Sequence, residues 1–311
     1  MSRNYLPLGA LAALIVFPLA AQALDQGFYI GLASRVLIFG LAAASLNFIL
    51  GFGGMISFGH AAFFGAGGYT VGILAQHAFA SAWIAWPLAM LASGVLALLI
   101  GAVSLRTRGL YFIMITLAFA QMLYYFFVSL KTYGGDDGLT LARRSSLGLG
   151  FDLKDEVTFY YVVLVCLVAT LFAAGRVIEA RFGRVLVAIR ENETRMEALG
   201  YPTYRYKLVA FVIAGSFAGL AGALSANLNT FVSPNALAWT QSGMLLVMVI
   251  LGGVGRPYGA PLGAATLLIL EEALSGFTEH WQLALGVLLL VVVLFAPQGI
   301  AGVFDRGGHR R

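Results

Sequence analysis

The chain has 311 residues, of which 60% are hydrophobic and 11% charged, with 38 glycines and a formal net charge of +5. Soluble domains carry roughly 45–50% apolar and about 25% charged residues. A water-soluble globule is therefore excluded by excess apolar surface, and a disordered chain by the same excess. What remains is an all-α polytopic membrane protein.

A helix crossing the ~30 Å hydrocarbon core needs about 20 mostly apolar residues. That length predicts ten spans, at residues 6–24, 30–50, 55–76, 83–104, 109–130, 158–176, 207–228, 241–255, 259–277 and 281–297. Together they form one transmembrane domain over 1–311. The first span follows Arg3 and ends near Ala21-Gln22-Ala23, a pattern shared with cleaved secretory signals. Its apolar stretch is longer than a usual signal core and runs straight on into further spans, so we read it as a retained helix.

The third and eighth spans are interrupted by glycine. Gly51, Gly53, Gly54, Gly59, Gly65, Gly67 and Gly68 cluster in the first half; Gly252, Gly253, Gly255, Gly259 and Gly263, with Pro257 and Pro261, cluster in the second. Backbone amides in hydrocarbon must be satisfied, so broken helices persist only inside protein or beside a water-filled cavity. Paired Gly/Pro interruptions in two halves of a chain point to a translocation pathway; close helix packing through small residues explains them equally well. Gly53, Gly54, Ser57, His60, Asn227, Gly252, Gly253 and Gly255 are the candidate pathway or broken-helix residues. Glu271 and Glu272 fall within the ninth span, where an acidic group is either functional or interfacial.

Two hydrophilic segments separate the spans, at 131–157 and 177–206. Placing both termini in the cytoplasm puts 14 of the 19 basic residues on inner segments, among them Arg106, Arg108, Arg176, Arg181, Arg184, Arg190, Arg195, Arg205, Lys207 and Arg256. Such a bias fixes orientation and accounts for the basic pI without an acidic partner. Segment 131–157 is then an outer loop and 177–206 an inner one. Within the latter, 179–200 reads as short helices, with Gly200 at a C′ position and Pro202 as the stop. Residues 190–197 alternate in charge sign, which suits a solvated face or a peg entering a groove on a partner.

No catalytic residue is assigned: His60, His77, His280 and His309 have no suitable neighbours in sequence, and no Cys/His grouping has metal-ligand spacing. The single cysteine, Cys166, lies in an apolar run and excludes an internal disulfide. A P-loop requires Gly-x-x-x-x-Gly-Lys-Ser/Thr. The only lysines are Lys131, Lys154 and Lys207, and none follows a glycine. The chain therefore does not hydrolyse ATP by that route, and energy for transport would come from a partner or an ion gradient.

Several stretches carry a resemblance. Gly183-Arg184 through Ala188-Ile189-Arg190-Glu191-Asn192-Glu193 to Ala198-Leu199-Gly200 resembles the coupling region of ABC importer permeases, in their branched-chain amino-acid branch. The run from Gly51 to Gly65, Gly134-Gly135-Asp136-Asp137-Gly138-Leu139, and Gly252-Gly253-Val254-Gly255 with Gly259-Ala260-Pro261-Leu262-Gly263 resemble the same branch, nearest its LivM-type subunits. The resemblance implies an inner-membrane importer subunit that moves solute by alternating access. It implies a second, LivH-type permease chain as partner, two cytoplasmic ATPase subunits that bind ATP and Mg, and a periplasmic amino-acid-binding protein. Arg184, Arg190, Glu191, Asn192, Glu193 and Gly200 would couple to the ATPase, and Gly134, Gly135, Asp136, Asp137 and Gly138 would form the lip receiving the binding protein. The same machinery moving urea or another small polar or aromatic solute, and an ion-coupled secondary transporter, are the competing expectations.

Overall fold

A computed structural model of the chain describes residues 5–23, 27–77, 79, 81–141, 143–148, 153–276, 283, 286–287, 290 and 299–305. The expected tenth span, 281–297, the two expected cytoplasmic termini and His280 lie outside those residues, apart from isolated positions.

The described chain is almost entirely helical: α1 (Tyr5–Ala23), α2 (Gly27–Asn47, continued by a π turn at Phe48–Phe52), α3 (His60–Gln76), α4 (Ala82–Ser104), α5 (Leu110–Ser129), α6 (Glu156–Glu179), α7 (Arg181–Glu191), α8 (Glu193–Ala198), α9 (Thr203–Asn229), α10 (Trp239–Gly252), α11 (Gly259–Ser275) and α12 (Ile300–Asp305). Nine of the ten expected spans correspond to a helix. Among the described residues, five helices are long and apolar enough to cross a membrane: α2 with its π turn, α4, α5, α6 and α9. The third span departs from expectation, since 55–59 is not helical and α3 begins only at His60.

Burial sorts the helices into a centre and a rim. In α2 and α9, 72% and 61% of the apolar window is buried; in α5 only 17% is, with Leu110, Tyr111, Met114, Met122 and Tyr125 turned outward. Such an apolar rim matches a lipid or partner-helix environment. α9 packs along α3 and α4 through small residues: a Cβ on Gly67 would land on the backbone of Gly219, and one on Gly222 on the carbonyl of Phe64. These glycines act by close approach, the packing reading of such stripes.

α1 shows how an interior proline is accommodated. Pro18 has no N–H, so the carbonyl four residues earlier, on Leu14, loses its helical donor. The Tyr160 hydroxyl of α6 donates to that carbonyl at 2.8 Å, and Tyr161 donates to the next, on Ile15, at 2.9 Å.

The only strands among the described residues, β1 (Leu139–Thr140) and β2 (Phe231–Val232), pair antiparallel across one end of the bundle. The α7–α8 segment occupies the other end. These are called the hairpin end and the α7 end below.

Candidate functional site

At the α7 end, the chain doubles back between α2 and α3. The π turn runs into a non-helical stretch, 53–59, and α3 starts beside Ser45, about two turns or roughly 10 Å back along α2. Its 17 residues span about 25 Å, short of the hydrocarbon thickness. The N-terminus of α3 is thus sunk inside the protein and needs internal hydrogen-bond partners. The Ala61 amide donates to Ser242 Oγ at 2.9 Å, the Gly59 amide to Ser57 Oγ at 3.2 Å, and the Phe58 amide to Thr116 Oγ1 at 3.3 Å. Ser57, His60, Thr116 and Ser242 are all completely buried.

His60 Nε2 lies 2.8 Å from Ser45 Oγ, whose own proton goes to the Ala42 carbonyl at 2.7 Å. Ser45 therefore receives its hydrogen bond from Nε2–H, and Nδ1 is left as a bare acceptor without a partner among the described residues. His60 joins α3 to α2, and its ring meets Phe63 edge-on.

The two glycine clusters, distant in sequence, meet here. Asn47 closes α2 by accepting from the Gly255 amide at 2.9 Å and donating to the Arg256 carbonyl at 2.8 Å. Arg190 of α7 donates through Nη1 to the Gly51 carbonyl. A Cβ on Gly54 would stand 2.9 Å from Arg190 Cγ, and one on Gly255 would stand 3.7 Å from Arg190 Nη1. Gly252 and Gly253 lie against Gly259 at the tight turn from α10 into α11. The structure thus brings Gly53, Gly54, Gly252, Gly253 and Gly255 to the α7 end, with Gly54 and Gly255 beside Arg190.

The α7–α8 segment is seated by its apolar face. Gly183, Leu186 and Ile189, spaced three apart, are buried, as is Met196. Asn192 breaks the helix and caps α8, its side chain accepting from the Arg195 amide at 2.9 Å. α8 ends in a Schellman motif: the Gly200 amide donates to Glu197 and the Tyr201 amide to Met196, with Gly200 at φ 82°. Glu193 differs from a freely solvated peg residue. It is half-buried, 2.6 Å from Lys207 Nζ on α9 and 3.5 Å from Arg108 Nε. Arg184, Glu191, Leu199 and Gly200 remain exposed beside Arg181 and Arg195.

At the hairpin end, Gly134 and Gly138 take positive φ values of 90° and 82° and fold 134–138 into a turn too tight for a Cβ at Gly134. Gly135 is buried there while Asp136 and Asp137 face outward. The following residues are laced to α9: the Ser145 amide donates to Asn227 Oδ1 at 2.7 Å, Arg144 donates to the Leu228 carbonyl at 3.2 Å, and the Leu141 amide donates to the Thr230 carbonyl at 2.9 Å. Asn227, fully buried, returns its own N–H to Ala223 at 2.8 Å. It lies apart from the other candidate pathway residues, holding the loop to α9. Sequence reasoning missed Lys207 and Arg144 as organising residues; a lysine opening an apolar span was the available signal.

Among the described residues, no group of three or more His, Cys, Asp or Glu side chains could hold a metal ion.

A multi-pass helical membrane protein with a re-entrant break and a docked amphipathic segment at one end has the makings of a transport permease. The model of the branched-chain amino acid transport system permease component matches residues 28–296, and the chain belongs to that family of ABC transporter permeases. It is 30% identical over 313 aligned positions to the high-affinity branched-chain amino acid transport system permease protein LivM of Salmonella typhimurium, and equally to that of Escherichia coli; each match covers 93% of this chain and 74% of the relative. A probable LivM permease of Methanocaldococcus jannaschii is 28% identical over 159 positions, 46% of each chain. No solved structure matches. The family is one of transport proteins, not enzymes.

Proposed function

We propose that this chain is the LivM-type subunit of an ATP-driven importer of branched-chain amino acids in the bacterial inner membrane. It pairs with a LivH-type permease chain. Two ATPase subunits, which bind ATP and Mg, dock at the α7 end on the cytoplasmic side. A periplasmic amino-acid-binding protein delivers solute at the hairpin end, over Gly134–Gly138, and both termini are cytoplasmic.

One observation carries this reading. α7 is attached through Arg190 to the backbone of the π turn, and Gly51, Gly54 and Gly255 leave no side-chain cushion between them. A displacement of α7 by a closing ATPase dimer is passed to the break between α2 and α3 and to the turn between α10 and α11 together. Such a linkage suits alternating access, in which two packed arrangements exchange rather than deform continuously.

The test is reconstitution. The chain is purified with its companion subunits, placed in liposomes and supplied with loaded binding protein. ATP-dependent accumulation of leucine, isoleucine or valine is expected, with a Leu199→Cys variant crosslinking to an ATPase subunit. Uptake sustained by an ion gradient with no ATPase present overturns the proposal.

A further inference from the structure

A cavity of about 310 Å³ lies between α2 and α9, lined by Arg35, Ile38, Phe39, Ser225, Leu228 and Asn229. Its volume sits at the lower end of the ~300–1,000 Å³ range of small-molecule sites. It is separate from the α7 end: Arg35 falls in the third turn of α2, near the level of the last turns of α9, on the hairpin side.

An arginine within a membrane span is costly unless it has a partner and a purpose. Arg35 has an incomplete partner. Its only hydrogen bond among the described residues runs from Nη2 to Glu271 Oε1 of α11 at 3.4 Å, longer than the ~2.7–2.9 Å of a well-formed charged pair. Among the described residues, the buried Glu271 Oε2 has no hydrogen-bond partner. The guanidinium thus keeps donors to spare and borders a half-open cavity, while the pair as a whole is neutral.

The remaining lining divides into two kinds. Ile38, Phe39 and Leu228 are apolar, and the Phe39 ring lies 5.9 Å from the Arg35 guanidinium carbon. Ser225 and Asn229 belong to the C-terminal end of α9, where the helix dipole is negative and favours a cation. One wall therefore suits a carboxylate, another an ammonium, and the third an aliphatic side chain. A zwitterion adds no net charge to the neutral pair, which matters where the dielectric is low.

We infer that this cavity is a transient binding site for a zwitterionic, aliphatic α-amino acid within the membrane part of the permease, with Arg35 holding the carboxylate. The inference rests on the proposed transport function and adds to it a place where solute halts on its way.

The experiment uses the complete reconstituted complex with Arg35→Gln, Arg35→Lys and Ser225→Leu, the last filling the cavity without touching the ion pair. Direct binding of leucine and of leucinamide is measured on the purified nucleotide-free complex, beside ATP-driven leucine uptake. Loss of a charge-assisted hydrogen bond predicts about 10- to 100-fold weaker leucine binding in Arg35→Gln, with leucinamide binding unchanged and Arg35→Lys recovering most of the loss. Ser225→Leu is expected to weaken both ligands. Wild-type leucine affinity in Arg35→Gln or Ser225→Leu overturns the site while leaving the importer reading intact, and so does an equal loss for leucine and leucinamide in Arg35→Gln. A wild-type complex that takes up no amino acid at all overturns the importer reading first, and the site with it.

Discussion

The Arg190 guanidinium donates to the backbone carbonyl of Gly51, 139 residues earlier in the chain, and so fastens α7 to the end of α2. Because the acceptor is main chain, the arginine side chain is the only flexible part of this link between α7 and the α2 backbone. Arg190→Gln is expected to leave insertion and ATP hydrolysis in place while reducing ATP-driven uptake at least about 10-fold, the cost of a charge-assisted hydrogen bond. Uptake and phosphate release measured on the same liposomes check it; coupled transport at the wild-type ratio shows that the linkage runs elsewhere.

Glu193 and Lys207 form the second fastening, at 2.6 Å with side chains 20% and 14% exposed. At that burial the pair is poorly screened by solvent, so Lys207→Met is expected to lower stability by about 1.5–3 kcal/mol. Lys207→Arg, which keeps a positive charge opposite Glu193 without setting a second one against Arg108, is expected to retain most of it. Thermal unfolding of the detergent-solubilised complex follows both variants; equal losses in Lys207→Met and Lys207→Arg mean that the lysine contributes through shape alone.

Gly51 sits where the end of α2 meets the turn between α10 and α11. A Cβ there would lie 2.5 Å from both Asn47 Oδ1 and the Gly255 nitrogen. Gly51→Ala must push apart the α2 terminus and the α10–α11 turn, an overpacking cost of about 1–3 kcal/mol. The same melting measurement reads it, and an unchanged midpoint contradicts the close approach.

At the hairpin end, Gly138 holds φ 82° with the Val232 carbonyl and Phe231 ring close by. Gly138→Val is expected to disorder the 134–140 turn, speed proteolysis between 131 and 157, and weaken binding-protein affinity. If affinity and uptake stay at wild-type levels, that turn is not the receiving lip.

Asp155 caps α6, its Oδ2 accepting from the Thr158 hydroxyl at 2.7 Å and the Thr158 amide at 2.9 Å. The hydroxyl bond first, then the backbone bonds, hold its carboxyl below the ordinary aspartate value. A depressed folded-state value means the cap's stabilisation is present above the unfolded pKa of about 3.9 and is lost as pH falls through the folded value. Asp155→Ala removes about 1 kcal/mol at neutral pH, and the difference between variant and wild type should vanish in strong acid. A gap that persists there argues against the cap.

Hydrophobic length alone located nine helices within a few residues, because a bilayer imposes one length on every span. It misplaced the start of α3, since Met55, Ile56 and Phe58 are as apolar as helical residues and hydropathy does not sense backbone conformation. The Schellman end at Gly200 was legible from local chemistry: a left-handed position before a proline has few other residents. The meeting of Gly51, Arg190 and Gly255 was not, nor the tie from Asn227 to Ser145. Such pairings depend on how distant helices are threaded past one another, and no window of sequence contains both members.

α9 is held at both tips: Lys207 binds Glu193 at one, and Asn227 and Leu228 bind the loop after β1 at the other. Its 27 residues make a strut about 40 Å long. A hydrogen-bonded helix resists shortening, so force applied at one tip emerges at the far tip as swing. In the proposed transport cycle, residues at the two ends of α9 would thereby keep time with each other, without any signal having to thread through the side chains between them.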